Sequence, residues 1–395
     1  MSTPVRPDFL PFSRPTVESG EINEVVDSMN SGWITTGPKV ARFEGLFREY
    51  LGVSEAIAVS SATAGWHLVV KALGIGPGDE VIVPAITWPS MANIVELSGA
   101  RAVFAEVHPD TLQIDAEDLR RRLTERTRAV IPVHFAGAAC DIDAIEAAIG
   151  DRPIKLVEDA AHALGTDYRG RRVGSEGRIT LFSFHATKNV TTGEGGMIAC
   201  NDAALAARLR LLRFHGITRD TWARSSGKGG TADFELLEPG YKYNMLDLQA
   251  AMGLHQLPKL ERFNARRAEL AARYDRLLAH LPCVRPLATV PYASQHAHHL
   301  YVVRLDTQAL GLSRDEFVTA LAQHNIGTGL HFPAIHLKQY YRERYGYTAA
   351  DCPNAVLLGN SILSLPLYPN LLDTDIDDVV NAISKVVLRT TSSHP

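Results

Sequence analysis

The sequence predicts an α/β protein in two units, the larger built on a sheet of mostly apolar strands covered by helices on both faces. Three observations carry this expectation. From about residue 20 onward, short apolar runs alternate with amphipathic helical stretches, the order that generates layered α/β folds. Several runs are apolar at successive positions instead of alternate ones, as strands buried on both sides are. With 395 residues and 46% hydrophobic content, the chain exceeds one simple core and is far too apolar for disorder.

The elements follow in order. Ile22, Val25, Val26 and Met29 form one helical stripe ending at Gly32, and Phe43, Phe47, Tyr50 and Leu51 form another ending at Gly52. Each helix is expected to bury one face. Strands are predicted over 56–60, 81–84, 102–106, 129–133, 154–159, 179–184 and 197–200, with a helix over 63–73. Around Pro258 a long, charged amphipathic helix over 259–281 takes over. The boundary is placed there: a large unit over 16–257 and a smaller one over 258–395, with 1–15 packing on the smaller. In the second unit, 299–305 reads as a strand, Ser313 and Glu316 form a capping box, and a last helix over 375–388 precedes a loose Thr-Ser-Ser tail.

Composition excludes several functions. The formal net charge is −4, with both signs mixed along the chain, so no footprint for nucleic acid or an anionic membrane is expected. No apolar run is long enough to span a bilayer, and the first fifteen residues lack a leader's apolar stretch. Cys140, Cys200, Cys283 and Cys352 are too far apart for a zinc motif and fit reduced thiols of a soluble cytoplasmic protein. The His296, His298, His299 cluster lacks a carboxylate or cysteine at ligand spacing, so no metal is expected. Gly74 to Asp79 follows a helix and reads as a turn, and Ser225-Ser-Gly-Lys-Gly-Gly is no phosphate loop, because Trp222 and Gly229 stand where glycine and a hydroxyl are required.

Three segments remain. Ser60-Ser-Ala-Thr-Ala-Gly follows a strand and opens a helix, leaving backbone N–H groups free for an anion such as phosphate. Leu156-Val-Glu-Asp ends an apolar strand in Asp159, at the sheet edge where ligands of open α/β sheets bind. In Phe182-Ser-Phe-His-Ala-Thr-Lys, Lys188 is the only charge of its strand-to-turn segment, a setting that depresses an amine's pKa as a Schiff-base lysine needs. Taken alone, the first is as readily a helix cap, and the second and third read first as a helix cap and a solvated lysine. Together they are the parts that pyridoxal phosphate (PLP) requires: a lysine, an acid for the pyridinium nitrogen and a phosphate cradle.

The same residues resemble a known family. SSATAGWHL, GIGPGDEVIVP, VHFAGAACDIDAI, EDAAHALGT, FSFHATKNVTTGEGG, LRFHGI and PGYKYNMLDLQAA, continued by GTGLHFPAIHLKQYYRERY and SLPLYP, resemble the DegT/DnrJ/EryC1/StrS sugar aminotransferases, above all those forming UDP-4-amino-4-deoxy-L-arabinose for lipid A modification. The resemblance implies the PLP-dependent transferase fold of type I, like aspartate aminotransferase. That fold is a large domain with a mostly parallel seven-stranded sheet and a small C-terminal α/β domain, in a homodimer with shared sites. It implies Lys188 as the lysine that binds PLP covalently, Asp159 as partner of the pyridinium nitrogen and His162 near the ring oxygen. Thr63, Ala64 and Ser183 match phosphate-binding positions, Trp88 the aromatic over the ring, and Asn244 an asparagine reaching the phosphate from the neighbouring subunit. His185, His331 and His336 match positions associated with the sugar; Arg213, Arg224 and Lys228 are candidates to neutralise a diphosphate. The implied substrates are a UDP-linked keto sugar and L-glutamate, which leaves as 2-oxoglutarate.

Pro89, Thr187 and Thr192 depart from the arabinose enzymes' pattern, which leaves the sugar open. Three other readings stand beside this one. A sugar 3-dehydratase of the same family would carry histidine in place of Lys188. An aminotransferase for another keto sugar, such as a UDP-4-keto-6-deoxy-hexosamine or a GDP- or dTDP-linked sugar, is compatible with every residue quoted. A non-catalytic regulator retaining the fold would have no need of Lys188 and Asp159.

Overall fold

The computed structural model describes residues 4–218, 234–290, 292 and 295–391. Its centre is a seven-stranded sheet made of β1 (Glu55–Val59), β2 (Glu80–Pro84), β3 (Arg101–Ala105), β4 (Thr127–Val130), β5 (Lys155–Asp159), β8 (Ile179–Ser183) and β9 (Gly196–Cys200). A two-residue hairpin, β6 (Asp167–Tyr168) and β7 (Arg171–Arg172), lies between β5 and β8 in the chain. The order across the large sheet is β1-β9-β8-β5-β4-β2-β3. Only β9 runs against its neighbours, so the carboxyl ends of β1, β8, β5 and β4 share one edge.

Side chains alternate between two cores along each strand. Ile57 and Val59 of β1 enter one hydrophobic cluster while Ala56 and Ala58 enter the other, and all four are fully buried. Strands covered on both faces read as unbroken apolar runs for this reason.

Helix α1 (Ser19–Asn30) corrects the expectation that its apolar stripe packs inward. Ile22, Val26 and Met29 are exposed, whereas Glu21 and Ser28 are buried. The reason is polar docking: Glu21 accepts hydrogen bonds from Gln256 Nε2 (2.7 Å) and Lys259 Nζ (2.9 Å), and Glu24 pairs with Lys39 and His255. Helix α2 (Pro38–Leu51) buries Phe43, Phe47 and Leu51 and ends at left-handed Gly52, a conformation glycine adopts without penalty.

The second sheet, β10 (Val284–Pro286), β11 (Tyr301–Leu305) and β12 (Ile362–Leu365), is antiparallel. The helices Leu260–Leu278, Arg314–Ala322 and Asp373–Thr391 share its core. Ser313 and Glu316 form a capping box there. The N-terminal segment joins this unit: Leu10 exchanges backbone hydrogen bonds with Asn325 and Gly327 (both 2.8 Å), and Arg6 pairs with Asp375 (2.8 Å) and Asp378 (2.6 Å). Among the described residues no helix is long and apolar enough to cross a membrane, and no group of three His, Cys, Asp or Glu side chains could hold a metal.

Candidate active site

A cavity of about 560 Å³ opens at the carboxyl edge of the large sheet. Each wall has a local cause. Where β1 ends, Ser61 takes an extended conformation and caps helix α3 (Ala62–Ala72), its Oγ accepting the Ala64 N–H at 3.1 Å. The Ser61, Ala62 and Thr63 turn faces the cavity, so the positive end of that helix points into it. The bland and functional readings of this segment are thus compatible: one serine caps the helix and shapes the cradle. Ser183, at the end of β8, lines the same end of the cavity. Gly196 sits between the two strands, opposite Val59 and Ser183, and a Cβ there would lie 2.8 Å from the Ala62 nitrogen.

Asp159 ends β5 and is 6% exposed. Its Oδ1 accepts the Ala161 N–H at 2.9 Å, and no described cation is bonded to it. Burial pushes its carboxyl above the usual range, against the opposing pull of that N–H and of the Lys188 and His134 charges. Behind it, Glu158 points to the other face of the sheet, where His134 Nε2 (2.9 Å) and Arg178 Nε (2.8 Å) reach it. Burial would raise that carboxyl, but the two partners hold it below its ordinary value.

Lys188 follows β8 in a turn in which its N–H donates to the His185 carbonyl at 2.9 Å, and its side chain lines the cavity. Burial lowers its pKa to about 8, with Asp159 acting in the opposite sense. Three imidazoles surround it. His162 and His299 pack with ring centroids 4.4 Å apart and their planes tilted by 40°. His331 packs against Phe12 at 5.2 Å. Burial, and then the Lys188 charge, depress all three: His162 and His299 far below the ordinary histidine value, His331 to about 4. They are neutral near pH 7.

A lysine amine that burial makes easier to deprotonate, a buried carboxylate with a free lone pair and an anion-seeking helix end in one cavity suit an aldehyde-bearing pyridinium ring with a phosphate. The residues fit PLP.

The structure brings Lys188, Asp159, His162, Thr63, Ser183, Trp88, His185 and His331 together around this cavity. Trp88 is 60% exposed at its mouth, 5.9 Å from Phe332. Two expected substrate contacts are corrected. His336 does not line the cavity; it is fully buried between the rings of Phe104 and Tyr347. Arg213 is not on a loop near substrate: it is buried at the end of helix Ala203–Arg213, bonded to Glu44 (2.6 Å) and the Ala58 carbonyl (2.8 Å). Arg224 and Lys228 lie outside the described residues. Ala64 turns its N–H to Ser61. Asn244 is buried beside Thr36, bonded to Thr36 and Lys242, and does not line this chain's own cavity.

Phe12, His299 and Phe332 also line the cavity and went unnoticed in the sequence. Phe12 and Phe332 carry no local signal, and His299 lies in a histidine cluster whose spacing in sequence points to no ligand.

Residues 15–384 match the profile of the DegT/DnrJ/EryC1/StrS aminotransferase family. The chain is 46% identical over 384 residues to the spore coat polysaccharide biosynthesis protein SpsC of Bacillus subtilis (strain 168), covering 97% of this chain and 98% of that protein. Among solved structures it resembles Spr1654 of Streptococcus pneumoniae in its PMP-form (TM-score 0.88, 32% identity, 96% of this chain and 100% of that one). It also resembles DesV of S. venezuelae (TM-score 0.85, 31% identity, 96% and 99%).

Proposed function

The chain belongs to the DegT/DnrJ/EryC1/StrS aminotransferase family, whose members depend on PLP, and from that premise we propose that it moves an amino group from L-glutamate to the keto carbon of a nucleotide-linked 4-keto sugar. The product is a 4-amino sugar nucleotide for a cell-surface polysaccharide, made in the cytoplasm by a homodimer. The observation that carries this reading is the buried Lys188, its pKa lowered to about 8, in one cavity with Asp159 and the amino end of α3.

PLP, when bound, supplies the aldehyde that takes up the amino group and the ring that absorbs the electron pair left at carbon. The protein's own groups do the rest. Lys188 Nζ in its neutral form would hold the cofactor, and the same amine would take the proton from the glutamate α carbon. Asp159, ionised against a pyridinium N–H, keeps that nitrogen protonated. His162 Nε2 would donate to the ring oxygen. Ser61, Thr63 and Ser183 would receive the phosphate, and Trp88, at the cavity mouth, would cover the ring. Asn244, which does not line its own cavity, would serve the phosphate held in the partner subunit.

A UDP-linked 4-keto-pentose, as in the lipid A branch of the family, is the first substrate to try. A second reading is a different keto sugar. It is favoured by Thr187, one of the departures from the arabinose pattern, which lines the cavity, and by the Bacillus relative, which is named for spore coat polysaccharide.

The test is the visible spectrum of the purified protein with glutamate and then UDP-4-keto-pentose. A yellow band bleached by glutamate and restored by this sugar supports both half-reactions. A band that is bleached and not restored redirects the substrate to another keto sugar, and no band even with added PLP overturns the reading.

A further inference from the structure

The three neutral imidazoles around Lys188 are not equivalent, because each has one ring nitrogen committed to a partner of known hydrogen-bonding sense. His162 Nδ1 accepts the Ala136 backbone N–H at 3.3 Å, so the ring proton is on Nε2. His331 Nδ1 lies 2.9 Å from the hydroxyl of Ser364, which is fully buried with no other side-chain bond among the described residues. That hydroxyl is satisfied only by donating, which leaves the His331 proton on Nε2 as well. His299 is the reverse. The Asn264 amide is oriented by donating to the Leu164 carbonyl (3.1 Å). Its oxygen accepts from Asn189 Nδ2 (2.7 Å), which donates also to the Ala297 carbonyl (2.8 Å). The Asn189 amide is thereby fixed with Oδ1 toward His299 Nδ1 at 3.0 Å. An amide oxygen only accepts, so His299 carries its proton on Nδ1 and its Nε2 is bare. His299 lines the cavity, and no described residue bonds to that Nε2.

Of these three imidazoles two therefore donate and one accepts. Donors suit the oxygens of carboxylates, of a keto group and of the cofactor ring. A bare imidazole nitrogen repels a glutamate carboxylate, and the glutamate nitrogen is the atom that is exchanged at Lys188. A sugar hydroxyl, by contrast, keeps its O–H throughout the reaction. We propose that His299 is a substrate-specificity residue, its Nε2 accepting a hydrogen bond from the sugar hydroxyl adjacent to the carbon that receives the amino group. This rests on the sugar aminotransferase reading above and adds to it a requirement for a free hydroxyl beside the keto carbon.

Two measurements on the PLP-loaded protein test it. Nitrogen-15 NMR of histidine-labelled protein, with the His299 signals identified by their loss in His299→Phe, is expected to show a proton on Nδ1 and none on Nε2; a protonated Nε2 overturns the proposal. Single-turnover kinetics then separate the half-reactions. His299→Phe is expected to slow the return of the visible band with UDP-4-keto-pentose about tenfold or more beyond any effect on bleaching by glutamate. The 3-deoxy analogue of that sugar is expected to react equally slowly with wild type and variant. Equal losses in both half-reactions, or wild-type discrimination between the two sugars retained by His299→Phe, overturns it. If wild type is bleached by glutamate yet not restored by the keto-pentose, the choice of sugar fails, and the tautomer measurement still decides for or against His299.

Discussion

Asp159 and Lys188 emerge from the ends of adjacent parallel strands, and each shifts the other's ionisation: burial lowers the lysine to about 8 while the carboxylate holds it up, and the lysine opposes the rise that burial imposes on the carboxyl. The pair supplies an amine that is partly neutral at physiological pH and an acid beside it that stays available to a pyridinium.

Removing the amine removes the reaction. Lys188→Ala is expected to lower turnover by about a thousandfold or more and to abolish the borohydride-reducible link to PLP, read by mass spectrometry. Wild-type-like turnover, or a persistent link at another lysine, contradicts the assignment.

The pair also sets a pH dependence. Lys188 is protonated below about 8 and neutral above it, so capture of PLP by the apoprotein is expected to accelerate as pH rises through that value and then level off. In Asp159→Asn the group that holds the lysine up is lost, and the midpoint is expected to move lower while turnover falls. A midpoint that moves upward contradicts the electrostatic account.

Gly196→Ala tests the phosphate cradle without touching a polar side chain. The added methyl would meet the backbone of Ala62 and the Phe182 carbonyl at 2.8 and 3.0 Å, and backbone cannot step aside. Affinity for PLP, measured by titration, is expected to weaken by about tenfold or more.

Glu158 supports the fold behind the site. Glu158→Ala leaves His134 and Arg178 without their buried partner and is expected to cost about 3–5 kcal/mol of stability, measured by denaturant unfolding. Its folded pKa lies below the ordinary 4.5. The pairing therefore contributes fully above that pH and is lost as pH falls toward the folded value. The stability gap between wild type and variant is expected to narrow as pH falls below 4.5.

Shared sites predict complementation. Lys188→Ala and Asn244→Ala chains, each inactive alone, are expected to regain activity when mixed and re-dimerised, because one site of each mixed dimer then carries both intact residues. Recovery should approach roughly a quarter of wild type; none at all contradicts the role given to Asn244 across the interface.

The sequence by itself determined what depends on near neighbours along the chain. The helix opening after Ser60-Ser-Ala-Thr, Asp159 at a strand end and Lys188 in the turn after β8 were legible because helix starts, strand ends and turns are set by a few successive residues. The two-sided burial of the central strands was legible in their unbroken apolar runs. Tertiary structure alone decided what depends on residues far apart. Phe12, His299 and His331 meet Lys188 only once the second unit has folded against the first, and which ring nitrogen of each histidine carries the proton depends on Ala136, Ser364 and Asn189. The same holds where expectation failed: the apolar stripe of α1 faces outward because Gln256 and Lys259 claim its polar face, and His336 and Arg213 are enclosed by Phe104, Tyr347 and Glu44. Periodicity reports which face of one element is apolar; what covers that face is settled by packing against elements that the local pattern does not contain.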